Sequence, residues 1–158
     1  MKQFSLRHVV CRDLSVSNEG IAGLSDTDGN ITLLNIRTGE KQLLTAHEAE
    51  SHCCAFASDG LLCASGTLGR KCDIAVFDVV SGQPQVRVGR SGLRAESVAF
   101  SPSGQYIVCT LGNAHVHLYA VQTQMCIGKY RLGGYVGRCV EFSPDGSLLA
   151  VICDDGVV

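Results

Sequence analysis

Histidine and cysteine are the residues of this sequence whose side chains could bind a metal ion or act as nucleophiles. His115 and His117 stand two residues apart in an alternating segment, so a β-strand would place both rings on one face. A zinc site needs three or four ligands, and no third ligand lies nearby. A half-exposed polar strand face explains the pair better, and the sequence predicts no metal site.

The cysteine pattern also argues against metal ligation. The count is nine, an odd number, and no CxxC pair occurs. Most of the cysteines lie among aliphatic residues of predicted strands, as small buried hydrophobic residues do. This usage fits a reducing compartment, so we expect a cytoplasmic protein, with the nucleus and the cytoskeleton as alternatives. The cysteines are Cys11, Cys53, Cys54, Cys63, Cys72, Cys109, Cys126, Cys139 and Cys153.

Other motifs that could carry catalysis or bind a cofactor are incomplete. Residues 26–30 lack the spacing and the distal glutamate of a calcium loop. Two glycine-rich segments, 66–71 and 133–137, lack the full phosphate-loop motif and a following helix. No serine stands in a Gly-x-Ser-x-Gly setting, and no pair of carboxylates suggests an acid and a base. We therefore expect no cofactor and no catalytic residue.

Length and charge restrict the classes of partner. A chain of 158 residues with 46% hydrophobic residues can bury one ordinary core. The formal net charge of −2 gives no general attraction to nucleic acid or to an anionic membrane. The basic segment 87–94 fits a solvated loop better than a phosphate site. Because no apolar run approaches the roughly 18 residues that span a bilayer, we expect no membrane partner.

A four-residue turn recurs along the chain at a nearly constant spacing. The residues that precede it are separated by 40, 44 and 42 positions. In the third copy, Pro102 presets the backbone angle of the second turn position and Gly104 closes the turn. Repeats of this length indicate one structural unit per copy. The preceding residues are Val16, Phe56, Phe100 and Phe142.

Each repeat contains four short segments with the alternation of β-strands, separated by polar turns. Four-stranded antiparallel units of about 42 residues are typical of β-propeller blades. The predicted fold is therefore all-β, a partial propeller of about three and a half blades forming a single domain over residues 1–158. The expected blades cover about 8–45, 46–88, 89–130 and, incompletely, 131–158.

The repeats resemble the WD40 family. The strongest matches are segments 97–104 (SVAFSPSG) and 140–146 (VEFSPDG). Phe77-Asp78 stands where the family has Trp-Asp, and the Ala-His pair at 46–47 stands where it has Gly-His. The sequence contains no tryptophan, and the Trp position is held by Leu34, Phe77 and Tyr119.

In the family, a buried histidine, a serine or threonine, an aspartate and the tryptophan share a hydrogen-bond network within a blade. The resemblance places the corresponding residues of the second blade at His47, Ser65, Asp73 and Phe77. Because Phe77 cannot donate a hydrogen bond, we expect a shortened network and blades that depend more on apolar packing.

The resemblance implies a non-catalytic scaffold that binds other proteins or peptides. Family members most often use the face next to the residues that lead into each first strand, and tyrosine and arginine are common at binding hot spots. The residues of this chain at that face are Glu50, His52, Arg94, Glu96, Tyr135 and Arg138.

The alternative is a propeller enzyme, a hydrolase or an oxidoreductase, whose active residues lie in missing blades.

An arc of three and a half blades leaves sheet faces and edges unpaired. The sequence thus predicts either a fragment of a larger propeller protein or a half-ring completed by a second copy or by another chain.

Overall fold

The computed structural model describes residues 10–66, 74–89 and 92–157, and gives the backbone alone for residues 62–65 and 157. These residues form strands and turns and contain no helix. The strands are β1 (Cys11–Val16), β2 (Ile21–Asp26), β3 (Asn30–Asn35), β4 (Lys41–Thr45), β5 (Ser51–Phe56), β6 (Leu61–Gly66), β7 (Ile74–Asp78), β8 (Pro84–Val88), β9 (Ala95–Phe100), β10 (Tyr106–Leu111), β11 (His115–Ala120), β12 (Cys126–Arg131), β13 (Gly137–Phe142), β14 (Leu149–Cys153) and β15 (Gly156–Val157).

The strands form four separate antiparallel sheets, and within each sheet the strands lie in chain order. Sheet 1 contains β1–β4, sheet 2 β5–β8 and sheet 3 β9–β12, while sheet 4 has the three strands β13–β15. The all-β fold of propeller-type blades predicted from the repeat spacing is confirmed.

The first strands of successive sheets contact one another, β1 with β5, β5 with β9, and β9 with β13. Three apolar clusters fill the gaps between the sheets. Ile31 and Phe77 belong to the cluster between sheets 1 and 2, Ile74 and Ile107 to the one between sheets 2 and 3, and Val140 to the one between sheets 3 and 4. Sheets 2 and 3 are thus covered on both faces, which explains their continuous apolar strands.

The turn that organises the third repeat has the predicted geometry. The amide of Gly104 donates to the carbonyl of Ser101 at 2.9 Å, and Gly104 has a φ of 69°. The Ser101 hydroxyl accepts a further hydrogen bond from the amide of Tyr106 at 3.1 Å. This arrangement turns β9 into β10 with the chain's own polar groups satisfied.

The outer faces of the two terminal sheets have no neighbouring sheet among the described residues. On sheet 1, Leu14, Val16 and Leu43 are 59%, 54% and 62% exposed. Leu14 and Leu43 belong to one row of paired residues across the sheet, opposite the face that packs on sheet 2. On sheet 4, Ile152 is 50% exposed. The arc is therefore open, as expected for a partial propeller.

One electrostatic effect links the first strands of sheets 1 and 4. The carboxyl of Glu141 in β13 has a raised pKa, because it is partly buried and because the Asp13 carboxylate of β1 acts on it.

Gly29, in the turn between β2 and β3, occupies a position that excludes any side chain. Its φ is 84°, and a methyl group there would overlap the carbonyl oxygens of His47 and Ala49. Its own carbonyl accepts the amides of Ala46 and His47 at 3.1 and 2.9 Å. This turn therefore fixes the connection from sheet 1 to sheet 2.

We predict that Gly29→Ala lowers the free energy of unfolding by about 3 kcal/mol or more, measured by urea denaturation, because backbone strain and overlap add. Gly60→Ala is the matched control, since Gly60 has a φ of 88° with nothing within 4 Å of an added methyl. Gly60→Ala should lower the free energy of unfolding only by the backbone strain, about 1–2 kcal/mol. Equal losses in the two variants would contradict the packing described here.

Candidate interaction surface at the bulged strand starts

Each first strand contains one bulge near its beginning. In the ladder with the second strand, one residue of each first strand is skipped: Arg12, His52, Glu96 and Arg138. These four positions repeat with the 40-, 44- and 42-residue spacing of the sequence. A bulge redirects a side chain away from the regular strand pattern, and bulges are common beside functional sites. All four residues are titratable or charged, and they lie at the same end of the arc.

Together with three neighbours, the bulge residues form a set of charged contacts, which we call the charged row. It crosses each boundary between sheets. Arg12 of sheet 1 pairs with Glu50, which precedes β5. Arg94, which precedes β9, contacts His52 of sheet 2. The members of the charged row are Arg12, Glu50, His52, Arg94, Glu96, Arg138 and Asp154.

Glu96 is the centre of the charged row. Its side chain is only 7% exposed, and its carboxylate oxygens lie 3.0 Å from Arg94 Nε and 3.3 Å from Arg138 Nη1. His52 Nε2 lies 3.8 Å from the same carboxylate. Removal of Glu96 would leave two arginines of neighbouring sheets without their shared partner, so this carboxylate joins sheets 3 and 4.

Arg138 is held by a second carboxylate. Its Nε and Nη2 donate to the two Asp154 oxygens at 2.7 and 3.1 Å, a bidentate geometry. This hydrogen bonding raises the pKa of Arg138 and lowers the pKa of Asp154. About half of the Arg138 side chain remains exposed, so one face of a fixed guanidinium is open to a partner.

The tautomer of His52 follows from its neighbour. Arg94 Nη2 lies 2.8 Å from His52 Nε2, and arginine can only donate, so Nε2 accepts and the proton is on Nδ1. Nδ1 is buried and has no hydrogen-bond partner among the described residues. Burial lowers the pKa of His52, and the positive charge of Arg94 lowers it further. The Nδ1–H of neutral His52 is therefore a buried donor, and it does not face solvent.

The structure brings together five of the six residues that the sequence suggested for partner binding. Glu50, His52, Arg94, Glu96 and Arg138 all belong to the charged row. The sixth residue, Tyr135, makes no hydrogen bond or ion pair with the charged row. It lies in the loop before β13 and is 48% exposed.

Sequence reasoning missed Arg12 and Asp154. Arg12 could have been found, because it stands 40 residues before His52 in the repeat. Asp154 follows β14, and only the pairing of Gly137 with Cys153 brings it beside Arg138.

The expected hydrogen-bond network of the second blade can be described only in part. Phe77 is 2% exposed and packs in the apolar cluster between sheets 1 and 2. The His47 ring lies 3.0 Å from the point where a side chain on Gly66 would begin. The side chain of Ser65 and all of Asp73 lie outside the described residues. The network therefore remains a prediction.

The described cysteines are free thiols, and six of those seven residues lie within strands as buried or half-buried side chains. Burial, with the Asp13 carboxylate, raises the pKa of the Cys54 thiol to about 12, so it stays protonated at neutral pH. Among the described residues, no group of three or more His, Cys, Asp or Glu side chains could hold a metal ion. No helix in this part of the chain is long and apolar enough to cross a membrane.

Because the pKa of His52 is lowered on folding, the unfolded chain binds the proton first as the pH falls below about 6.5. We predict that the free energy of unfolding decreases between pH 7.5 and pH 5.5, and that His52→Gln loses less over this interval than the unsubstituted chain.

Urea denaturation at the two pH values measures this. The pH 7.5 value gives the cost of the substitution itself, since His52 is neutral there in both states, and the difference between the two values isolates the titration. An identical pH-dependent loss in both proteins would show that His52 is not the titrating group.

Comparisons with known proteins agree with this architecture. The family model described as WD domain, G-beta repeat, matches residues 126–158. Protein tipD of Dictyostelium discoideum is 34% identical over 98 residues, 62% of this chain and 15% of its own length. SVP1-like protein 2 of Neurospora crassa is 27% identical over 67% of this chain and 25% of its own length. Autophagy-related protein 18 of Saccharomyces cerevisiae is 28% identical over 74% of this chain and 24% of its own length.

Solved structures show the same fold. The computationally designed Ika4 protein superposes with a TM-score of 0.83 at 19% identity, over 100% of this chain and 97% of the designed one. Hydrazine synthase of Kuenenia stuttgartiensis superposes with a TM-score of 0.81 at 17% identity, over 91% of this chain and 42% of its own. The matched part spans a quarter or less of the three sequence relatives. Residues 126–158 therefore match a WD40 repeat, and the four sheets have the architecture of propeller blades.

Proposed function

We propose that this chain is a non-catalytic scaffold of the WD40 type and that it binds other proteins or peptides through the charged row. The observation that carries the proposal is the row itself: one bulge residue from each of four sheets takes part in charged contacts at one end of the arc.

The row has the chemistry of a binding surface. The side chains of Arg12, Arg94 and Arg138 are 43%, 40% and 51% exposed, and each is fixed by a carboxylate. A guanidinium held in place loses less conformational entropy when it binds a partner. Because cations and anions alternate, the surface favours a partner with both kinds of charge over nucleic acid.

We further propose that the four sheets are part of a larger ring. Support comes from the exposed apolar side chains on the edge strands of sheet 1, Leu14, Val16 and Leu43. The relatives are also much longer than the matched segment. Further blades of the same protein are the favoured cover. A second copy of this chain is the other candidate.

The cellular setting we propose is the cytoplasm, with the nucleus and the cytoskeleton as alternatives, since the described cysteines are free thiols. The name of one relative connects it with autophagy, and a scaffold role in that process is the context we propose for this chain. The likeness to hydrazine synthase concerns the fold alone and does not favour an enzyme.

Affinity capture with the full-length protein tests the charged row. We predict that Arg94→Ala and Arg138→Ala each reduce recovery of the same partner at least about fivefold, because hot-spot arginines contribute more than about 1 kcal/mol. Lys129→Ala is the matched control, because Lys129 is an exposed cation on β12, away from the row. A partner recovered equally with all three variants would remove the row from the proposal.

A further inference from the structure

The boundary between sheets 1 and 2 opens into a groove at the end of the arc opposite the charged row. Its walls come from three turns, β1–β2, β5–β6 and β7–β8, and from the strand residues beside them. We call it the turn groove. It consists of two adjoining cavities of about 290 and 320 Å³, which share Ile21 and Val79.

The two cavities differ in character. The first is mainly apolar, with Ile21, Phe56, Ala57 and the two valines of the β7–β8 turn in its walls. The second includes Glu40 and Lys41 and is more polar. Ligand pockets usually measure about 300–1,000 Å³, so the first cavity is at the small end and suits one side chain better than a metabolite. Two such cavities in line suit an extended chain segment.

An exposed apolar residue stands at the lip of the groove. Val80 is 92% exposed, and beside it Val79 and Phe56 are half-buried. The Val80 side chain buries little apolar area in the fold of the described residues, because it is left in water. Contact with an apolar side chain of a partner would bury it together with the cavity floor.

The charges around the groove favour a basic partner. Glu19 lines the first cavity and Glu40 the second, while Asp78 immediately precedes Val79. The backbone and side chain of Ser81 donate to Asp78 and lower its pKa, so it is ionised at neutral pH. The nearby cations are Arg37, beside Gly20 of the β1–β2 turn, and Lys41, which lines the second cavity. Three carboxylates therefore lie near two cations.

We propose that the turn groove binds an extended segment of a partner protein that places one bulky apolar side chain in the first cavity and a neighbouring lysine or arginine against Glu19 or Glu40. This site is separate from the charged row and goes beyond the proposed function. The apolar floor supplies affinity, and the carboxylates select a basic neighbour over an acidic one.

Fluorescence polarisation with a positional-scanning library of capped, labelled hexapeptides tests this on the full chain. The expected binders carry Leu, Ile, Met or Phe next to Lys or Arg. Val80→Asp should weaken them about tenfold, and Glu19→Lys should weaken the basic peptides more than versions with Gln in place of Lys. Leu148→Asp is the matched control, since Leu148 is 69% exposed in a turn of sheet 4, and it should leave binding unchanged.

Three outcomes would overturn the proposal. The first is the absence of any hexapeptide that binds with a Kd below about 1 mM, the level of a few kcal/mol. The second is equal weakening of peptide binding by Val80→Asp and Leu148→Asp, which would indicate a general effect of surface charge. The third is a change of oligomeric state with Val80→Asp in light scattering, which would assign the groove to a second copy of this chain.

Discussion

The structure depends on the packing of one sheet face against the next. Each sheet has an apolar face that cannot be left in water, and a fully buried Ile, Leu or Val side chain is worth about 1.5–3 kcal/mol. Ile31, Ile74 and Ile107 are fully buried and lie in the gaps between sheets 1, 2 and 3. This constraint requires neighbours on both sides of every sheet, and it makes the outer faces of sheets 1 and 4 the least satisfied parts of the chain.

Polar groups add direction to this packing. The amide of Cys54 donates to Asp13 Oδ2 at 3.0 Å, and the amide of Val140 donates to Ser97 Oγ at 3.2 Å. Both bonds join the first strands of successive sheets. In each case the acceptor directly follows the bulge residue of one sheet, and the donor stands two positions after the bulge residue of the next sheet. The charged row continues the same connection at the strand starts. The bulges therefore fix the stagger between sheets and at the same time present the charged side chains.

Much of the fold could be predicted from the sequence because its signals are local. The turn before Gly104 is determined by residues within five positions, and the repeat spacing locates the strands around Phe56, Phe100 and Phe142. The partner-binding residues were partly predictable for the same reason, since they follow the repeat. The pairing of Arg138 with Asp154 was not, because it depends on the register of two strands.

The turn groove was not predictable either. Ile21, Phe56 and Val80 come from three segments of two repeats, and only the packing of sheet 1 on sheet 2 brings them together. The same holds for the tautomer of His52, which is set by an arginine 42 residues away. Contacts between sheets, rather than patterns within one, determine these features.

Hydrogen exchange followed by mass spectrometry tests the central claim, that coverage of both sheet faces determines stability. The account predicts the slowest exchange in β7 and β10, the interior strands of the doubly covered sheets 2 and 3, and faster exchange in β14 of sheet 4, whose side chains alternate between buried and exposed. Equal protection of β14, β7 and β10 in the monomeric chain would contradict it.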